Sequence, residues 1–268
     1  MTVIQKMMTE RHHKVKQQIE IQRAPHELWQ LLTEPENLKQ WFADVERADA
    51  SGAINLSFGD GDFFSARLET FNAPHHLGIV WKFMGLGPSY EINFFLGAND
   101  RGTRLDVEDA GALTIEEAAS LTCGWQDFLE RLQRFASTGE NSRYQWSREI
   151  SITADLGSEK DPSESLCFLD DNRSRYFPVS TVNRLRNETV FSSWSFTEKH
   201  WAGETTVTAS LQESGSKNYL TVTHEGWEAA LPSPENVAAR RRYAQMWREL
   251  LLQLEREFVS KKASPNSG

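Results

Sequence analysis

The sequence predicts an α+β protein in which one layout, a first strand, an antiparallel sheet and a long closing helix, occurs twice. Short apolar motifs of the first half recur in the same order in the second half, which is the signature of an internal repeat. Each half also contains alternating strand patterns separated by turn residues, and each ends in an amphipathic helix pattern. The matched motifs are Ile19/Ile21 and Ile150/Ile152, Trp81/Phe83 and Trp194/Phe196, Leu105/Val107/Gly111 and Leu220/Val222/Gly226, and Trp125/Leu132 and Trp247/Leu254.

The first half begins with a strand pattern over 16–21. Pro25 and Pro35 each favour the first position of a helix, which predicts a helical pair over 25–42 with apolar residues on one face. Thr114 and Glu117 form a capping-box pattern that begins the long helix, and Gly139 is a plausible residue for its end. The predicted strands between these helices are 53–58, 63–71, 76–84, 89–96 and 103–108.

The second half repeats this order with one difference. After a strand at 148–155 the segment GSEKDPSES has no amphipathic pattern, so the helical pair is expected to be lost or shortened. Ser233 and Pro234 then begin the last long helix. The other predicted strands are 165–170, 179–185, 188–199, 203–212 and 217–224.

Length and composition constrain the class of protein. A chain of 268 residues fits one or two domains, and the repeat favours two, at 14–138 and 145–260. The net charge of −9 argues against a nucleic-acid-binding protein, which needs a basic surface. Cys123 and Cys167 lie in different halves and are expected to be buried free thiols.

The N-terminal residues are not expected to form a signal peptide. The first residues lack the apolar run of a signal peptide, and no stretch approaches the ~20 apolar residues of a membrane span. We therefore expect a cytoplasmic protein with no membrane span, whose ends at 1–13 and 261–268 are loose tails.

A strand, two short helices, an antiparallel sheet and a long C-terminal helix are the helix-grip (START/Bet v1-like) layout. Several segments resemble the Hsp90-ATPase-activator-like (AHSA1-like) branch of the START/SRPBCC superfamily. They are APHELWQLLTEPENLKQWF, GTRLDV and the W-x-x-FL-x-x-L helix at Trp125 in the first copy, and LTVTHEGW at 220–227 in the second.

The resemblance implies a cavity between the long helix and the sheet that holds an apolar small molecule. Some superfamily members are aromatases, cyclases or hydrolases, and this branch is named for a co-chaperone, although most bacterial proteins in it have no demonstrated link to a chaperone.

We expect the cavity in the first copy, because residues 25–42 supply a helical wall and aromatic residues cluster in its strands. The alternative is that these aromatic residues fill a solid core. Arg67, Glu91 and Asn93 are the polar groups expected to point inward. The candidate ligand-binding residues are Trp29, Trp41, Phe42, Phe64, Arg67, Trp81, Phe83, Glu91, Asn93, Trp125 and Phe128.

No catalytic or metal site is predicted. His224 and Glu225 could form an acid–base pair, but adjacent strand residues point to opposite faces, which favours a structural role. The adjacent pairs His12/His13 and His75/His76 lack the spacing of a helical metal site. The sequence therefore predicts neither a metal nor a cofactor.

The predicted function is the binding of an apolar or amphipathic small molecule in the first domain. The second domain would pack on the first as an intramolecular pseudo-dimer. One alternative is an aromatase- or cyclase-like enzyme, which needs polar groups inside the cavity. The other is a protein-interaction module with a chaperone as its partner.

Overall fold

The computed structural model describes residues 13–47, 53–59, 61–112, 114–143, 149–158 and 161–259. Within them, contacts divide the chain into two compact units, one of residues 13–85 and 89–143 and the other of residues 86–88 and 149–259. Each unit has its own antiparallel sheet and its own long helix. The domain boundaries at 14–138 and 145–260 stay a prediction, and the expected terminal tails lie almost wholly outside the described residues.

The first domain is a seven-stranded antiparallel sheet in the order β1-β7-β6-β5-β4-β3-β2, with three helices. The long helix packs on β1 and β7, so one face of the sheet is covered and becomes the inner face. The strands are β1 His13–Ile21, β2 Asp44–Arg47, β3 Ile54–Ser57, β4 Phe63–Asn72, β5 His76–Phe83, β6 Tyr90–Asn99 and β7 Gly102–Ala112, and the helices are α1 Pro25–Thr33, α2 Pro35–Trp41 and α3 Ile115–Thr138.

Local sequence explains where these helices begin and end. Pro25 and Pro35 occupy the first positions of α1 and α2, as predicted. At the start of α3 the Thr114 hydroxyl accepts the Glu117 N–H at 3.0 Å. Gly139 ends α3 in the left-handed region, at φ 72°.

The core of the first domain is the contact between α3 and the inner face of the sheet. Trp125 is 5% exposed, which confirms the predicted burial of this residue. The other buried residues of α3 follow it at helical spacing and form one apolar stripe. They are Phe128, Leu129, Leu132 and Ala136.

The second domain is a five-stranded antiparallel sheet in the order β8-β12-β11-β10-β9. Trp247 on its long helix is 1% exposed, so this burial is confirmed as well. The strands are β8 Ile150–Gly157, β9 Thr181–Asn187, β10 Phe191–Thr197, β11 Thr205–Ser214 and β12 Lys217–Glu225, and the helices are α4 Ser163–Tyr176, α5 Trp227–Ala230 and α6 Glu235–Val259.

The strand predicted at 165–170 is wrong, because these residues belong to α4. The Ser163 N–H donates to Asp161 Oδ1 at 2.9 Å at the start of this helix, and Leu166 and Leu169 are its buried apolar residues. A narrow stripe of this kind gives little periodic signal in a polar segment. One helix of 14 residues thus stands where the first domain has two, so the helical pair is shortened as predicted.

The predicted burial of the two cysteines is also wrong. Cys123 and Cys167 are free but exposed. Cys123 lies off the apolar stripe of α3, and Cys167 lies off the stripe of α4, so both thiols face solvent. No helix in the described part of the chain is long and apolar enough to cross a membrane.

Candidate functional site

A cavity of about 100 Å³ lies inside the first domain, between the helices and the inner face of the sheet. Its lining is apolar apart from Thr33, whose hydroxyl donates to the Trp29 carbonyl at 2.8 Å. The lining residues are Leu32, Thr33, Leu38, Trp41, Phe42, Val45, Ile54, Leu56, Leu68, Phe71, Leu77, Ile79, Trp81, Phe94 and Phe128.

We call Trp81, Phe94 and Phe128 the aromatic floor of the cavity. Trp81 is stacked on Phe64 with ring centroids 4.4 Å apart and planes 15° apart. Trp81 is also stacked on Trp125, with centroids 6.0 Å apart and planes 5° apart. The indole of Trp81 therefore packs on two aromatic rings that do not line the cavity.

We call Leu68 and Phe71 the mouth residues. They line the cavity and yet are 52% and 58% exposed. Residues three apart on a regular strand point to opposite faces, but the register of β4 shifts between Leu68 and Thr70, which brings both side chains to the inner face. The Phe71 ring meets the Trp29 ring edge-on at 5.0 Å.

The structure brings the aromatic candidates together at this site in two layers. Trp41, Phe42, Trp81 and Phe128 line the cavity. The others pack behind that lining. They are Trp29 against Phe71, Phe64 and Trp125 against Trp81, and Phe83 against Phe64.

The polar candidates do not reach the cavity. Arg67 and Glu91 are exposed, and both pair across the sheet with Val80, so they share its outer face. Arg67 forms an ion pair with Glu69. Asn93 lies two residues from Glu91 on the same outer face, and its Oδ1 lies 2.8 Å from His76 Nε2. The expectation that these three residues point inward is wrong, because inward and outward residues alternate along β4 and β6.

The cavity therefore offers no charged group to a ligand. None of its described lining residues is ionisable. Trp41 on α2 lines the cavity, and its indole N–H donates to the Leu31 carbonyl at 3.0 Å. A charged ligand group would lose its hydration here without compensation.

A buried carboxylate lies behind the aromatic floor. Asp109 is 1% exposed, and its Oδ2 accepts the indole N–H of Trp125 at 2.8 Å. Its Oδ1 accepts the Gly111 N–H at 3.0 Å. Burial raises the pKa of Asp109 to about 6, although these two hydrogen bonds oppose the shift. Sequence reasoning did not select this residue. The one sequence feature that could have pointed to Asp109 is the internal repeat, in which Asp109 aligns with His224.

His224, for which the sequence favours a structural role, lies on β12 of the second domain. It is fully buried, and its Nδ1 accepts the indole N–H of Trp247 at 3.0 Å. The proton of the neutral ring is therefore on Nε2, which lies 2.6 Å from the Thr205 hydroxyl. Burial lowers the pKa of His224 well below its usual range, so the ring stays neutral. Glu225 is exposed and does not share its environment.

Aromatic rings pack closely around His224. Phe177, Phe196 and Tyr243 are buried, and the Phe177 ring lies 4.5 Å from that of Trp247. The Phe196 ring lies 5.9 Å from the Trp247 ring. The rings of Phe196 and Tyr243 each lie 5.3 Å from the His224 ring.

Comparison with known proteins agrees with this architecture. Residues 22–137 match the family described as activator of Hsp90 ATPase homolog 1-like protein, and no curated protein matches the chain. DynU16, a protein of the dynemicin biosynthetic locus, has a crystal structure that superposes with a TM-score of 0.78. The identity is 22%, and the superposition covers 91% of this chain and 98% of that chain.

Two smaller solved structures each cover about half of this chain. MLL2253 from Mesorhizobium loti has a TM-score of 0.42 and 20% identity, and covers 47% of this chain and 97% of that chain. The Aha1 dimer from Colwellia psychrerythraea has a TM-score of 0.40 and 20% identity, and covers 47% of this chain and 98% of that chain. The family match over residues 22–137 and the likeness to DynU16 support a helix-grip fold of the AHSA1/SRPBCC type.

Proposed function

We propose that this protein binds a small, neutral, apolar molecule in the cavity of the first domain. The observation that carries the proposal is the pair of mouth residues. Leu68 and Phe71 are large apolar side chains, more than half exposed, and they adjoin an apolar cavity. An exposed apolar patch at the opening of a cavity is the kind of surface that a ligand covers.

The size of the cavity limits the ligand. Drug-sized ligands occupy pockets of about 300–1,000 Å³, and a cavity of about 150 Å³ engineered in another protein binds benzene or xenon. The volume here is about 100 Å³, so a single small ring already requires some widening. The widening would come from Phe71, because its ring is 58% exposed and packs on Trp29 alone among the aromatic residues described around it.

Binding is a better-supported function than catalysis. An aromatase- or cyclase-like reaction needs acids and bases that touch the substrate, whereas Arg67, Glu91 and Asn93 lie on the other face of the sheet. DynU16 is described as a protein of a biosynthetic locus, which agrees with a small-molecule ligand, and its likeness to this chain is one of fold.

We further propose that the protein is located in the cytoplasm. Cys123 and Cys167 are free and exposed, which suits a reducing compartment. A protein-interaction module with a chaperone as partner stays an alternative hypothesis, which the family description suggests.

The first test uses xenon and benzene as probes of the full chain. Xenon or benzene in the cavity should shift the NMR signals of the Leu77 and Ile79 methyl groups, because both side chains line it. The Leu185 methyls serve as the internal reference, since this residue is 60% exposed in the second domain. Lining signals that move no more than those of Leu185 would refute the proposal.

The second test compares two exposed phenylalanines of the same domain. Phe71→Ala should raise the affinity for naphthalene relative to benzene, because it removes a mouth side chain. Phe95→Ala should leave this ratio unchanged, because Phe95, 37% exposed, is stacked on His76 on the outer face. An equal effect of the two substitutions would contradict entry through the mouth residues.

A further inference from the structure

Trp125 contacts every residue of the aromatic floor. Besides its stacking on Trp81, its ring meets the rings of Phe94 and Phe128 edge-on, at 5.8 and 4.9 Å. Its indole N–H is bound by Asp109. We propose that Asp109 is a positioning residue that orients Trp125, and thereby sets the shape of the floor and the size of ligand that the cavity accepts. This inference rests on the proposed function.

The Asp109 carboxylate is itself fixed in orientation. One oxygen accepts the Trp125 N–H and the other accepts the Gly111 N–H, so the group cannot turn without breaking a hydrogen bond. Val15 on β1 and Ile92 on β6 are its direct cross-strand neighbours, and both are buried and apolar. A carboxylate held in this way fixes the position of the indole nitrogen.

Loss of Asp109 would leave the indole N–H without its acceptor inside the protein. A buried unpaired donor costs about tenfold or more in an equilibrium constant, so the indole is expected to turn toward another partner. Turning changes the plane on which Trp81 is stacked and the edge contacts with Phe94 and Phe128. The floor, and with it the ligand preference, would then change.

The second domain offers a matched control. Trp247 and His224 repeat the geometry of Trp125 and Asp109, with an N–H donated from the long helix to a buried acceptor on the matching strand. Trp247, however, packs on Phe177 and Phe196 and touches no lining residue of the cavity among its described ring contacts. Loss of His224 should therefore destabilise its own domain without changing the ligand preference.

The ionisable groups near Asp109 are few. The negative charge of Glu117 on α3 contributes to raising the pKa of Asp109. The Tyr90 hydroxyl on β6 donates to Glu117 at 2.7 Å. The strands on either side place Val15 and Ile92 opposite it. With the pKa of Asp109 raised to about 6 by burial, the carboxylate becomes a neutral acid, and a weaker acceptor, within a range that experiments can reach.

The experiment uses the full chain and two hydrocarbon probes, benzene and naphthalene. Asp109→Leu should change the ratio of the two affinities by about tenfold, the scale of one buried hydrogen bond, and should shift the NMR signal of the Trp125 indole N–H. His224→Leu should leave the affinity ratio and the Trp125 indole N–H signal unchanged. Equal changes of the affinity ratio in the two variants would mean that it follows stability alone, which would overturn the inference.

Two further readouts do not depend on folding stability. The Trp125 N–H signal of the unsubstituted chain should titrate with a midpoint near pH 6. Asp109→Asn, whose amide oxygen can still accept the indole N–H and does not titrate, should keep the affinity ratio of the unsubstituted chain and abolish that titration. An unmoved Trp125 signal in Asp109→Leu refutes the positioning role, whereas failure of the unsubstituted chain to bind either hydrocarbon refutes the proposed function.

Discussion

Trp125 on α3 donates its indole N–H to Asp109 on β7, at 2.8 Å and out of contact with solvent. The matching pair in the second domain is Trp247 and His224, at 3.0 Å. In each domain a tryptophan of the long helix donates one hydrogen bond to the strand that is last in the sequence of that domain, β7 or β12. The donor is the same in the two copies, whereas the acceptor is a carboxylate in one and a neutral imidazole in the other.

The two tryptophans should contribute strongly to stability. Trp125→Ala and Trp247→Ala should each lower the free energy of unfolding by ~3–5 kcal/mol, because each empties a buried aromatic site. Urea titration monitored by circular dichroism measures the loss. Phe95→Ala, at a residue that is 37% exposed, is the control and should cost much less. A cost for either tryptophan that is no larger than this control would contradict its structural role.

Asp109 should make stability depend on pH. Its pKa is raised from 3.8 to about 6, so the folded protein binds more protons than the unfolded chain between these values. Its contribution is therefore present at acid pH and is lost as the pH rises through about 6. The loss by neutral pH amounts to about 3 kcal/mol.

The measurement compares the unsubstituted chain with Asp109→Asn at about pH 3 and about pH 7.5, values below and above the range in which the group titrates. The free energy of unfolding of the unsubstituted chain, relative to that of Asp109→Asn, should be higher at the lower pH than at the higher pH. Other groups titrate alike in both proteins and cancel. A difference that does not vary with pH would contradict the assigned shift.

Gly111 should tolerate no side chain. A Cβ built on it would lie 2.0 Å from the Tyr90 ring, whose hydroxyl is held by Glu117. Gly111→Ala should therefore lower the free energy of unfolding by about 1–3 kcal/mol, as overpacking does. Gly97→Ala in the neighbouring strand β6 is the control, because its Cβ would meet nothing within 4 Å. Equal costs at the two positions, measured by thermal or urea unfolding, would rule out the steric explanation.

Both cysteines should react in the folded protein. Cys123 and Cys167 are exposed, so a maleimide should modify two thiols per chain under native conditions. Mass spectrometry counts the modified thiols, and the unfolded chain gives the reference. Protection of either thiol before unfolding would contradict its exposed position.

The sequence by itself determined the repeat, the bounds of α1, α2, α3 and α6, and most strands of both sheets. These features are local. A proline at the first position of a helix, the Thr114 cap, Gly139 and alternating apolar residues act within a few neighbouring residues. The burial of Trp125 and Trp247 also follows from helical spacing alone.

Only the tertiary structure decided which side chains form the site. A register shift in β4 brings Phe71 to the inner face, and strand register places Arg67 and Glu91 on the outer face. Helix α4 depends on the tertiary burial of Leu166 and Leu169, because its polar sequence carries a weak pattern of its own. Asp109 is buried because a strand on either side and the Trp125 indole enclose it, and these contacts join residues that are distant in sequence.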